Sequence, residues 1–413
     1  MVEFVSERGY EDVTVRGLAR LAGISTGTFY RHFPNSQHCF FHTYEFLMRS
    51  TLRRAQAAQS RHRDWEGGVR AGLRSVLEDL SLHPKAAHVV LVEAYAVGPV
   101  MHPRIRKEVA AFECLLASGP PRRTGPLADT VRRGIAEGVM RVARTRLLLG
   151  QLTRLPADAG ALGDWIASIS RAPSIGPEDR HPFPSLNGGS ESRRQPEEGL
   201  RRAIGGAPGS ELGRILAAVV KLSAVDGFAR LTIPRIRAEA GVPRRYLDDR
   251  FAGEEACFLA AIEAIAREAA VRAADEAGTT TDWANSVEAA IRGLCGEVAG
   301  NPALARLLFV EILAPGRRGL LCREDLISLA ASRLRAAPPE HRPSQLVAEA
   351  SSAAAWGIVQ TDVATQRAGA TPRLAPLLAH VSLAPIRGDR HAEVERHLVP
   401  NLDSRWCDGA GFS

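Results

Sequence analysis

The stretch STGTFYRHF, residues 25–33, follows LARLAGI at 18–24, and together they decide the fold. Ser25 is suited to cap a short helix, Phe29 and Phe33 lie one helical turn apart, and Pro34 stops it. Upstream, Thr14 is a good cap for VRGLARLA at 15–22, with Val15, Leu18, Ala19 and Ala22 expected inward. Gly23 ends that helix because glycine tolerates positive φ, and Ile24, Phe29 and Phe33 are expected to pack back on it. Phe4, Val5 and Tyr10 mark the tail of an earlier helix broken at Gly9. Helix, glycine turn, short helix is a helix-turn-helix.

The remaining side chains suit a helix that enters a DNA groove. Thr26 and Thr28 are short enough to meet base edges, including a thymine methyl, and Gly27 lets the backbone come close. Tyr30, Arg31 and His32 offer donors to phosphates or guanine, and Ser25 sits where the helix N-terminus favours a phosphate. Thr14 and Arg16, at the start of the preceding helix, join this DNA-facing set. Spacing alone leaves a second reading open, a structural helical hairpin with a polar outer face.

Working outward, the rest is helical too. EGGVRAGLRSVLEDLSLH and SELGRILAAVVKLSAV repeat apolar residues at three and four, and convincing alternating strands are absent, so the fold class is all-α. The exception is 171–209, where prolines, glycines and charges dominate and no period survives; this is a linker. The flanking halves match at a constant shift of 218 residues. Gly9 pairs with Gly227, Thr14 with Thr232, Gly23 with Gly241, Phe33 with Phe251, Cys39 with Cys257, Trp65 with Trp283, Pro84 with Pro302 and Glu93 with Glu311. After one inserted residue Gly138 pairs with Gly357. So long a period is a duplicated domain, not a solenoid.

Composition narrows the classes of function. At 413 residues the chain exceeds one ordinary core. It has no apolar run long enough to span a bilayer and no secretory pattern at the N-terminus, so a cytoplasmic location without a membrane partner is expected. Its six cysteines show no CxxC pair and read as reduced, mostly buried thiols. Residues 1–170 hold 23 Lys and Arg against 16 Asp and Glu, whereas 211–413 hold 24 against 25, so the basic excess belongs to the first half. No nucleophile–base pair, metal set or phosphate loop is present, so no enzyme, metal or cofactor is expected. His83, His88 and His102 read as exposed or capping.

ERGYEDVTVRGLARLAGISTGTFYRHFPNSQHCFF, residues 7–41, resembles the DNA-binding domain of TetR/AcrR-family transcriptional regulators. The resemblance implies a helical ligand-binding and dimerisation domain after the headpiece, and repression of a double-stranded operator released by a small-molecule effector. By it, Tyr30 and His32 grip phosphates while Thr26 and Thr28 face bases. Helices within 132–169 and 351–385 resemble the pair that dimerises in the family. Trp65, Tyr95, Met101, Trp283, Phe309 and Trp356 are candidates to line ligand pockets, with ordinary core packing the alternative for each.

Expected boundaries are a headpiece at 1–48, a helical domain at 49–170, the linker at 171–209, a second, degenerate headpiece at 210–265, a second helical domain at 266–388 and a tail at 389–413. Three departures stand out. The counterpart of 211–225 would start about seven residues before Met1, so either the true start lies upstream or the first helix is short and supports the recognition helix less. A lysine usual in the family is replaced by Ser36 and Glu254. The second recognition segment, PRRYLDDRF, puts Asp248 and Asp249 where the first has Tyr30 and Arg31; Arg244, Arg245 and Tyr246 are its remaining DNA candidates. The halves are expected to pair as an internal pseudo-dimer, or two chains as a homodimer. The alternative function is a ligand sensor or interaction module whose headpieces no longer bind DNA.

Overall fold

The computed structural model describes residues 1–117, 126–171, 210–278, 282–365 and 368–387. The linker beyond Arg171, the tail at 389–413 and Cys407 lie outside the described residues. Among the described residues every regular element is helical.

The chain opens with α1 (Val2–Arg8), α2 (Val15–Leu21), α3 (Thr26–His32), α4 (Ser36–Gln59) and α5 (Trp65–Leu82). Polar caps set their starts. Thr14 Oγ1 accepts from Gly17 N–H at 3.1 Å, Ser25 Oγ from Thr28 N–H at 3.0 Å, and Asn35 Oδ1 from His38 N–H at 2.9 Å. Each such cap stabilises its helix by about 1 kcal/mol. Pro84 begins α6 (Pro84–His88), which runs through a π-helical turn at Val89–Glu93 into α7 (Ala94–Ala96). Then come α8 (His102–Phe112), α9 (Cys114–Ala117), α10 (Pro126–Leu148) and α11 (Leu155–Arg171).

The second half has a similar order of helices. It comprises α12 (Glu211–Asp226), α13 (Ile233–Ala240), α14 (Arg244–Asp248), α15 (Glu254–Ala277), α16 (Trp283–Gly300), α17 (Pro302–Phe309), α18 (Gly316–Arg335), α19 (Gln345–Ala364) and α20 (Ala375–Arg387). Both ends of α15 and of α16 fall 218 residues after those of α4 and α5. Gly9 (φ 83°) and Gly227 (φ 76°) share one backbone conformation, as do Gly23 (φ 67°) and Gly241 (φ 60°). A tertiary bond recurs as well: Tyr10 N–H donates to Glu93 Oε2 at 2.7 Å, and Phe228 N–H to Glu311 Oε2 at 3.5 Å.

One continuous apolar core holds residues of both halves, Tyr44, Leu77 and Ile135 together with Phe258, Phe309 and Ile358. The halves meet where α10 lies along α19 and α11 along α19 and α20. Small residues let the backbones approach: a Cβ on Gly138 would sit 2.7 Å from the Ala350 carbonyl oxygen. Trp165 Nε1 donates to Ser351 Oγ at 2.9 Å across this seam. Beside it lies a buried ionic network. Glu324 accepts from Arg141 and, at 2.8 Å, from Arg144, while Arg323 Nη2 donates to Glu137 Oε2 at 3.0 Å. Burial lowers the pKa of Arg141, to about 10, and that of Arg144. Burial also works against the charge on Arg323, but the Glu137 carboxylate and the Tyr95 ring outweigh it and raise its pKa.

Several expectations need correcting. Ala22 and Ile24 are exposed, because Ala22 caps α2 and Ile24 sits in the turn beyond the reach of the headpiece core. The short α1 still supports α3, through Phe4. The boundaries at 48/49 and 265/266 fall inside α4 and α15, each a single unbroken helix. Of the described cysteines, Cys257, Cys295 and Cys322 are buried, with thiol pKa values pushed up to about 12 by burial, whereas Cys114 is exposed and Cys39 half-buried.

Candidate nucleic-acid interface

A small core of Phe4, Leu18 and Phe29, edged by Val13, Val15, Phe33 and Cys39, holds α1, α2 and α3 together. Gly17 makes it fit: a Cβ there would stand 2.6 Å from the Phe4 ring. With Phe29 turned in, Thr26, Gly27, Tyr30, Arg31 and His32 are exposed, and Thr28 is half-buried. Thr14, Arg16 and Ser25 are exposed as well. Tyr30 is 57% exposed, with its ring edge-on to Phe29.

Hydrogen bonds refine the individual roles. The hydroxyl oxygens of Thr14 and Ser25 are committed as helix caps, so only their O–H hydrogens remain to offer a phosphate. Arg31 Nη2 donates to Thr28 Oγ1 at 3.1 Å, and Thr28 Oγ1 lies 3.0 Å from Ser25 Oγ. Arg31 is therefore held along α3 before any DNA arrives. Between Asp12 and Glu45 the chain has no acidic residue, while it carries Arg16, Arg20 and Arg31 there. That acid-free segment suits a polyanion.

The second pair of short helices, α13 and α14, is joined by a similar glycine turn and has a different surface. Leu247 takes the place of Phe29 and is buried. Pro243 at the N-cap supplies no side-chain acceptor, and α14 has five residues. Arg244 and Arg245 are exposed, yet Arg244 Nε donates to Asp248 Oδ2 at 3.1 Å and Arg245 Nε lies 3.7 Å from Asp249 Oδ2. Tyr246 is half-buried, with the Arg250 guanidinium 5.1 Å from its ring centre. Exposed pairs of this kind are worth at most about 1 kcal/mol, so they do not lock the arginines. The two carboxylates nevertheless remain beside any phosphate those arginines would reach.

Residues 2–43 match the family described as bacterial regulatory proteins, tetR family. This first headpiece is accordingly a helix-turn-helix DNA-binding domain of that family's type, which supports a DNA-binding transcriptional regulator. No curated protein matches the chain.

The six ligand-pocket candidates mostly fall elsewhere. A cavity of about 460 Å³ opens between the halves, and Tyr95 alone of the six lines it. Met101 is fully buried in core. Trp65 Nε1 donates to the Leu116 carbonyl at 3.4 Å, and Trp283 packs on Ala331, Leu334 and Ala348. Phe309 packs at a tilt on Trp356, ring centres 4.7 Å apart, and borders a small pocket of about 40 Å³, well below the usual small-molecule range. A second pocket of about 60 Å³, walled by Val69, Phe112 and Met140, touches none of the six.

The cavity instead draws on His102, Arg106, Lys107, Glu137, Arg323 and Gln360. His102 is half-buried rather than exposed; burial, with Arg106 adding to it, pushes its pKa down to about 4 and leaves it neutral. The only sequence signal was the basic run RIRK at 104–107, since the opposite wall comes from the other half. Among the described residues no group of three metal-ligating side chains comes together, and no helix is long and apolar enough to cross a membrane.

Proposed function

We propose that the chain is a transcriptional regulator made of two fused TetR-like units paired with each other. The first headpiece reads double-stranded DNA, the second is a structural partner, and a small-molecule effector in the cavity between the halves releases the DNA, so that binding represses. The acid-free face of α2 and α3, presenting Tyr30, Arg31 and His32, carries the DNA reading.

The shared helix bounds, the recurring Glu93 and Glu311 bonds and the α10–α19 seam support duplication and internal pairing. Release has a mechanical basis. α8 walls the cavity and also grips α4: the Arg104 guanidinium lies 3.9 Å from the Phe41 ring centre, and Arg49 Nη2 lies 3.9 Å from Glu108 Oε1. An effector that shifts α8 therefore moves the helix that carries the headpiece.

Selection of bound sites from a random double-stranded pool, followed by sedimentation of the complex, tests this. One chain per enriched site, and a site without two-fold symmetry, is the expected outcome. A palindrome holding two chains would favour a homodimer of first headpieces, and no enrichment would favour a sensor that no longer binds DNA.

A further inference from the structure

Resting on that reading, we infer that the effector is an organic anion with an apolar body, held jointly by both halves in the cavity between them. Its volume of about 460 Å³ falls in the range of small-molecule sites. One wall is α8 of the first half, with Ile105 and Val109 as apolar surface; Val310 and Leu313 of the second half face it.

Charge decides the class of ligand. Both lining carboxylates are taken, Glu113 by Arg133 at 3.0 Å and Glu137 by Arg323 at 3.0 Å. Arg106 and Lys107 also line the cavity, are exposed, and have no acidic partner among the described residues. Two positive charges are thus left over at the site.

Deeper in, Arg323 is 1% exposed, and its Nε finds no acceptor among the described residues. This buried guanidinium adds positive charge behind the cavity wall. His102, also on the wall, is neutral and so offers a cationic ligand no counter-charge. A cationic ligand would meet Arg106, Lys107 and Arg323 with no carboxylate to spare. A neutral apolar ligand would leave Arg106 and Lys107 without a counter-charge. A carboxylate pairs with Arg106 and Lys107 while its hydrocarbon covers the apolar walls.

The test uses the full chain with decanoate, decan-1-ol and decylammonium as matched probes, followed by calorimetric titration and thermal unfolding. Decanoate is expected to bind one per chain, and at least tenfold more tightly than the alcohol or the amine. Arg106→Ala/Lys107→Ala should weaken decanoate about tenfold, with unliganded thermal stability and DNA affinity unchanged. Thr361→Trp, on the second half's wall, should block all binding. Equal affinity for decanoate and decanol, a double variant that binds decanoate normally, or no binding of decanoate at millimolar concentration would overturn the inference. DNA affinity of the unliganded chain is measured alongside. DNA binding without decanoate binding sinks this inference alone, whereas decanoate binding without DNA binding sinks the regulator and leaves the site.

Discussion

Arg144 Nη1 donates to Glu324 Oε1 at 2.8 Å, joining α10 of the first half to α18 of the second with both side chains buried. Arg141 binds the same carboxylate. Neutralising Glu324 strands two buried cations, so Glu324→Gln should cost about 3–5 kcal/mol in urea unfolding followed by tryptophan fluorescence. Replacing the triad together, Arg141→Met/Arg144→Met/Glu324→Leu, should restore most of that stability, because well-packed apolar groups need no charge partner. A loss under 1 kcal/mol for Glu324→Gln would show that the carboxylate is not buried between the halves.

Gly17 faces Phe4 with no room for a methyl group. Gly17→Ala is expected to weaken the three-residue headpiece core by about 1–3 kcal/mol. Hydrogen exchange should quicken at residues 15–32 and DNA affinity should fall, while the main unfolding transition stays in place. Unchanged exchange there would mean that α1 does not brace α2.

The headpiece was readable because its signals are local. Thr14, Gly23, Ser25 and Pro34 each bound an element within a few residues, and α15 and α16 start and end 218 residues after α4 and α5. The cavity was not readable. Its walls join α8 to α19, elements far apart in the chain, and nothing near Arg323 in the sequence shows that it faces Glu137. Met101, Trp65 and Trp283 are held in ordinary packing, as the core alternative for these large apolar residues expected.

In the second headpiece, Asp248 and Asp249 stand beside Arg244 and Arg245. Asp248→Ala/Asp249→Ala frees both arginines and removes the repulsion. Non-specific DNA affinity should rise, and the slope of log K against log salt should steepen by up to about two. No change in that slope would mean that this face never approaches DNA.

Acid should destabilise the fold through His102. Its folded pKa is about 4, below the ordinary histidine value of 6.5. Between those values the unfolded chain binds a proton that the folded chain refuses. Stability is therefore full above pH 6.5 and is lost as pH falls toward 4, by at most about 3 kcal/mol. His88, also lowered chiefly by burial, acts in the same direction. Urea unfolding at pH 7.5 and pH 5 should show the drop, and His102→Asn should remove most of it. An equal drop in the variant would assign it to other groups.

The central claim is that the first headpiece reads DNA and the second does not. Fluorescence anisotropy tests it most directly, using the region upstream of this protein's own gene across a salt series. Tyr30→Ala/Arg31→Ala should lose affinity and flatten the salt slope, while Arg244→Ala/Arg245→Ala should match wild type. Equal losses in both double variants would contradict the account and make both headpieces DNA readers.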